Sequence, residues 1–303
     1  MQTIALVHPA LALVLSPLLL GVINRTKAIF AGRVGQPLAQ PYRDLWKLLR
    51  KGAVYSRTTT WVFRAAPVVG LAAILLATTL LPLAALPALL AFPGDFILLA
   101  YLLGLVRFFA VIGALDTGSS FEGMGASREV QFSALAEPAL LLGLAAVAYH
   151  THSLSLSEMI SGLSSTHWSQ AGAMQALLAA SLFMVLLTEN ARIPVDDPNT
   201  HLELTMIHEV MVLDFGGPDF AFILYGASLK LWVFCALLTG LALPVRTGNL
   251  WIEVAVAVIA IFGIAVLVGV VESCMARLRL IRIPQLLVGA GLLSVLALVL
   301  SLR

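Results

Sequence analysis

Residues 251–272 read WIEVAVAVIAIFGIAVLVGVVE, and their only charged side chains, Glu253 and Glu272, stand near the two ends. A crossing of the hydrocarbon core takes about 20 predominantly apolar residues, so this run reads as a transmembrane helix. Outward from it, the same rule finds spans over residues 4–23, 65–86, 96–115, 131–149, 174–190, 220–243 and 284–302. Pro82 and Pro87 interrupt the second of these runs. The composition agrees: of 303 residues, 60% are hydrophobic and 11% charged, with a mean hydropathy of +0.98, where soluble domains carry about 25% charged residues. The expectation is an all-α polytopic membrane protein of eight transmembrane helices, a single membrane domain over residues 1–303. The first span is expected to be kept, because no positive charge precedes its apolar run and Arg25 and Lys27 follow it.

Lysine and arginine accumulate on the cytoplasmic side of membrane proteins. With the N-terminus outside, the inner loops hold Arg25, Lys27, Arg33, Arg43, Lys47, Arg50, Lys51, Arg57, Arg128, Arg192, Arg277, Arg279 and Arg282, and the outer segments only Arg246 and Arg303. The net charge of +2 averages over this asymmetry, and nothing in it points to nucleic acid. Cys235 and Cys274 fall in or at the end of separate spans with no paired ligand spacing, so both read as small buried hydrophobes. Cysteine cannot hold an iron-sulfur cluster or haem here, and electron transfer belongs to another chain.

Two segments break the membrane pattern, both assigned to the cytoplasmic side: residues 24–64 and 189–219. In the first, Tyr42, Leu45, Trp46 and Leu49 follow helical spacing, with Arg43, Lys47, Arg50 and Lys51 opposite. This is a basic amphipathic helix in the membrane interface. It serves as a surface anchor on lipid, a docking face for a soluble partner, or the wall of a cavity. In the second segment Glu189, Asp196 and Glu203 recur every seven residues, but Pro194 and Pro198 forbid a continuous helix. The acids must therefore converge through a turn. A new helix is expected from Thr200, where Thr200 and Glu203 fit a capping box, to Leu213, with Gly216-Gly217-Pro218 as its stop. His201 and His208, about 10 Å apart on such a helix, are too distant to share one metal, and no metal site is expected.

Ionisable groups at membrane depth are costly and default to functional readings. Arg107, Glu137, Glu189 and Lys230 stand inside spans or close to their cytoplasmic ends. Pro138, directly after Glu137, removes a backbone donor and frees the carbonyl of Ala134, where water can collect beside the acid. A proton relay needs acids close enough to pass protons through water and cations that bias their charge. On this reading the relay acids are Glu129, Glu137, Glu189, Asp196, Glu203 and Glu209, and the biasing cations Arg107, Arg128, Arg192 and Lys230. Static pairing, for example of Arg107 with Glu137, is the alternative.

Several motifs resemble a known family. Glu189, Arg192, Pro194, Asp196, Pro198, Glu203 and Leu204 stand in the order of an acidic loop of complex I membrane subunit 1, the one that adjoins the hydrophilic arm. Arg33 and Gly35, then Gln40-Pro41, Asp44 and Lys47-Leu48, resemble its first cytoplasmic loop, and Gly125-Ala126, Arg128, Gln131, Ser133 and Glu137 a third motif. Tyr42-Arg43-Asp44, Leu115 to Ser119, Gly125 to Glu129, Glu137-Pro138 and Met275 to Leu280 resemble more closely the relatives in formate hydrogenlyase, hydrogenase-4 and other membrane-bound nickel-iron hydrogenases. The chain departs from the family at Val195, Asn199 and His201, and over His208-Glu209 to Gly216-Gly217-Pro218.

The resemblance implies a subunit of the bacterial or archaeal plasma membrane that has no redox centre and belongs to an oxidoreductase of hydrogenase or NADH:quinone type. Its implied partners are hydrogenase-like large and small subunits and iron-sulfur proteins of a soluble arm, which carry the nickel-iron and iron-sulfur centres, together with antiporter-like membrane subunits. Glu137, Glu189, Asp196 and Glu203 would belong to a line of acids leading to those subunits. Arg33, Asp44, Lys47 and the neighbouring Trp46 would face the arm, near where complex I binds quinone. The leading expectation is an anchor and proton-coupling subunit. The alternatives are a structural anchor without pumping, a quinone-reducing complex I-type subunit, and, more distantly, an independent transporter.

Overall fold

The computed structural model describes residues 2–163, 165–196, 206–243 and 247–302, with the backbone alone at residues 2, 3 and 165–171. The described residues form α1 (Gln2–Ala5), α2 (Val7–Phe30), α3 (Gln40–Leu49), α4 (Trp61–Leu80), α5 (Asp95–Asp116), α6 (Ser120–Thr151), α7 (Leu156–Gly162), α8 (Ser165–Glu189), α9 (Gly217–Ala242), α10 (Leu250–Cys274) and α11 (Ile283–Ser301). Eight of them, all but α1, α3 and α7, are long and apolar enough to cross a membrane, which matches the number of apolar runs. Apolar residues on their outward faces, such as Ile259 at 70% and Leu292 at 59% exposure, suit contact with lipid.

Helix ends follow local chemistry. Asp116, the last residue of α5, accepts hydrogen bonds from the Thr60 and Phe63 amides at 2.7 and 3.3 Å, and so caps the start of the antiparallel α4. Asn249 caps α10 through the Trp251 amide at 3.1 Å. The second span ends at Leu80 rather than at residue 86. Beyond it, Pro82 cannot donate to a helix, and the chain folds back through paired hydrogen bonds between Leu83 and Leu86.

The amphipathic helix forms as α3, with Pro41 in its first turn, and packs against α2 and α9. Tyr42 and Leu45 are half-buried, while Trp46 and Leu49 remain exposed. Cys235 is buried as expected, but Cys274 is exposed, because α10 ends there and the chain leaves the bundle.

The expected helix up to Leu213 does not extend through the described residues. Residues 197–205, with Asp197, Pro198, Asn199, Thr200, His201 and Glu203, lie outside them. Further on, the chain makes one 3-10 turn, Glu209–Val212. The Asp196 carboxylate accepts the amides of Ile207 and His208 at 3.1 and 3.0 Å, so these donors serve a distant acid instead of a preceding helical turn. Helix α9 then opens at Gly217, with Pro218 in its first turn.

Successive packing of α4 on α5, α5 on α6, α6 on α8, α8 on α9 and α9 on α4 closes a ring of five helices. Helix α11 covers α6 and α8 from outside, and α2 and α10 pack on α9. The 3-10 turn lies against α6, where Gly125 lets it approach: a Cβ there would stand 2.7 Å from the Ile207 carbonyl oxygen. Gly125→Ala should therefore lift this segment off α6 and destabilise the protein by about 1–3 kcal/mol, read as a lowered melting temperature of the purified protein in detergent.

Candidate functional site: a buried charge cluster

Ionisable side chains from four helices of the ring meet near mid-span. Arg107 stands about 18 Å along α5 from Asp95, and Lys230 about 20 Å along α9 from Gly217, at 1.5 Å per residue. The Arg107 guanidinium bonds the Glu137 carboxylate of α6, reaches Glu189 Oε1 at 2.5 Å, and lies 3.6 Å from Glu129 Oε1. Lys230 Nζ holds the other oxygen of Glu189 at 2.8 Å. Three carboxylates thus share two cations. With all five ionised, the group carries one excess negative charge, and a single added proton makes it neutral.

Glu189 is the last residue of α8, so the chain after it continues at membrane depth without a helix. Irregular backbone is tolerated there only where protein buries it. Residues 192–196 are all buried. The helix closes in a Schellman pattern: Arg192 N–H donates to Leu187 O at 2.8 Å and Ala191 N–H to Thr188 O at 3.1 Å, with Ala191 left-handed at φ 49°. Further along, Asp196 accepts from Arg277 at 2.9 Å, and Leu278 N–H donates to Pro194 O at 2.9 Å. The linker between α10 and α11 therefore clamps the loop.

A second group forms beside it. Glu272, buried at the end of α10, binds Lys27 of α2 at 2.8 Å and Arg192 of the loop at 3.5 Å. His208 faces Glu129, Glu189 and Lys230 of the first group and Asp196 of the loop, and burial holds its imidazole below the ordinary value of 6.5, so it is neutral at pH 7.

Cavities flank the cluster. One of about 260 Å³ lies between α5 and α6 beside Glu137, Arg107 and Glu189. An inner one of about 110 Å³ has mostly apolar walls from α4, α5 and α9, into which Arg107, Glu129, Glu189, Arg192, His208 and Lys230 are set. A chamber of about 440 Å³ lies beyond it, between α2, α9 and the loop, lined by Asn24, Arg192, Asp196, His208 and Glu209. Each exceeds the 10–15 Å³ that one water requires. On the other side of the charges the interior is mostly hydrocarbon: Leu99, Leu103, Leu144, Leu178, Val185 and Leu186 are at most 2% exposed, with Gln175 and the bonded pair Ser181 and Ser294 as buried polar exceptions.

Of the residues singled out from sequence, Arg107, Glu129, Glu137, Glu189 and Lys230 come together. Asp196, Arg192 and Glu209 sit at the chamber, and Glu203 lies outside the described residues. Arg128 instead donates to the Met206 carbonyl at 2.7 Å and fixes backbone. Arg33, Trp46 and Lys47 are exposed and Asp44 is half-buried, and none of them lines the chamber or the two cavities. The residues missed were Lys27, Glu272 and Arg277. Their one signal was an acid at the edge of the apolar run 251–272 and basic residues just past span ends.

These features define a multi-pass membrane protein built around an ion-paired acid cluster. The chain belongs to the NADH dehydrogenase family, whose profile matches residues 1–302. It is similar to formate hydrogenlyase subunit 4 of Escherichia coli, 32% identical over 289 residues, covering 93% of this chain and 92% of that protein. It is similar also to hydrogenase-4 component C of the same organism, 33% identical over 286 residues, covering 92% and 89%. A chain of the membrane-bound sulfane sulfur reductase, an archaeal respiratory membrane complex, shares the fold with a TM-score of 0.81 at 20% identity, over 97% of this chain and 98% of that one. The family resemblance read from the motifs is borne out.

Removing Arg107 leaves buried carboxylates short of a partner, so Arg107→Ala should cost about 3–5 kcal/mol, seen as loss of folded protein from detergent-solubilised membranes. His208 adds a pH dependence. Its imidazole binds protons more readily in the unfolded chain, so its contribution to stability is complete above pH 6.5 and is lost as pH falls below that. From about pH 7 to about 5.5 the wild-type melting temperature should therefore fall more steeply than that of His208→Gln.

Proposed function

We propose that this chain anchors a soluble redox arm to the membrane and couples its electron transfer to proton movement, within a complex of the formate hydrogenlyase and hydrogenase-4 type. In this reading a nickel-iron large subunit and iron-sulfur proteins form the arm on the cytoplasmic side, the N-terminus lies outside, and antiporter-like subunits adjoin in the membrane. The observation that carries the reading is the cluster in which Arg107 is shared by Glu129, Glu137 and Glu189, one charge from neutrality. Water-sized cavities on both sides, each bordered by charged side chains of the cluster, support it.

The physics favours coupling to a neighbour over transport by this chain alone. Beyond the cluster the bundle is mostly packed hydrocarbon, with scattered buried polar side chains such as Gln175, Ser181 and Ser294, none of which lines the chamber or the two cavities. The Glu137 side chain is 44% exposed beside the cavity between α5 and α6, so the cluster opens sideways. Redox-driven motion of the loop after Glu189 would shift cations against acids and so draw a proton onto the cluster or release one from it. The static anchor is the second reading, supported by Glu189 being held from both sides at 2.5 and 2.8 Å.

Glu137→Gln decides between them in the intact complex, reconstituted in sealed vesicles. Coupling predicts that ion movement falls about 100-fold, the lower end for a lost proton-transfer group, while assembly and electron transfer persist. Unchanged ion movement in the variant, or none in the wild type, leaves the static anchor.

A further inference from the structure

The inner cavity and the loop-side chamber share a boundary, the neck, lined by Asn190, Arg192 and His208 together with the apolar Val212, Phe215, Ile223 and Ala227. Glu129 and Glu189 lie on one side of this neck, Asp196 and Glu209 on the other. At the neck Asn190 Oδ1 and Arg192 Nε are buried without a hydrogen-bond partner. An acceptor and a donor left open between two water-sized spaces form a site for bridging water.

Arg192 is also weakly held. It reaches Glu272 at 3.5 Å, while Lys27 already neutralises that carboxylate at 2.8 Å. Glu272 thus has a partner without Arg192, whereas a guanidinium at the boundary between two water-sized spaces opposes the passage of protons by its own charge. Lys230 and Arg107, by contrast, are committed to Glu189 at 2.8 and 2.5 Å.

We propose that Arg192, with Asn190 and His208, gates proton access from the chamber to the acid cluster. With Arg192 on Glu272 the neck is closed. When it turns toward the acids of either cavity its charge is matched, and water bridged by Asn190 and His208 joins the two spaces. The gate gives a route to the coupling role proposed above and rests on it for its purpose, but its existence is testable independently.

The test uses the intact complex in a Cys274→Ser background, since Cys274 is exposed and Cys235 fully buried. Ala110→Cys places a thiol on the inner cavity and Leu213→Cys one on the chamber. Each is labelled with neutral 2-hydroxyethyl methanethiosulfonate and read by peptide mass spectrometry. Arg192→Ala should speed labelling at position 110 at least about fivefold and leave position 213 within about twofold, the lower range of a coupling effect. The double variant Arg192→Ala with Glu272→Gln, which leaves no carboxylate unmatched, should behave alike and covers failure of the single variant to fold. Equal rates at position 110 with and without Arg192 overturn the gate.

Ion movement per electron tests its purpose. If Arg192 only balanced Glu272, Arg192→Gln with Glu272→Gln would restore the wild-type ratio; the gate predicts a ratio still at least about fivefold lower. A wild-type complex that moves no ions removes the coupling role, while the labelling rates still decide the gate.

Discussion

Glu189 is bound by Arg107 on one oxygen and Lys230 on the other, and these two contacts constrain the bundle more than any apolar pair. Apolar packing tolerates small shifts among helices of similar surface. A buried carboxylate does not, because losing one partner leaves an uncompensated charge in a medium of low polarity. The two bonds fix α5 and α9 in depth and rotation relative to the end of α8. Through Glu129 and Glu137, the same guanidinium extends the constraint to α6.

A cost arises from ending α8 at membrane depth. The chain must return through the interior, and each backbone group on the way needs a partner. The Schellman cap, the amides bound by Asp196 and the bond from Leu278 to Pro194 meet that need. The inner cavity and the chamber lie along this loop, where charged side chains border them. The charge cluster, the irregular loop and the space for water are therefore consequences of one another. Hydrocarbon packing resumes where helices run uninterrupted.

The identities of the acids and cations at membrane depth were legible, since such residues stand out against apolar runs. Their partners were not. Arg107 and Glu189 are 82 positions apart, and no local pattern says that they touch. The helix expected up to Leu213 gave way to a 3-10 turn because Asp196 takes its amides, a tertiary contact that capping residues do not reveal. Arg128 resembled a charge partner by type, but geometry turned it to a carbonyl. Lys27 and Glu272 read as ends of separate spans, although they meet across the packing of α2 on α10.

By itself the sequence determined the eight spans, the amphipathic helix and the family, because apolar length, helical period and motif order are local properties of the chain. Only the tertiary structure decided which acid meets which cation, where α8 stops relative to its neighbours, and where the interior is polar. Those depend on the depth and rotation of helices against one another, and several arrangements of the same spans would bury equal apolar surface. Matching buried charge selects among them.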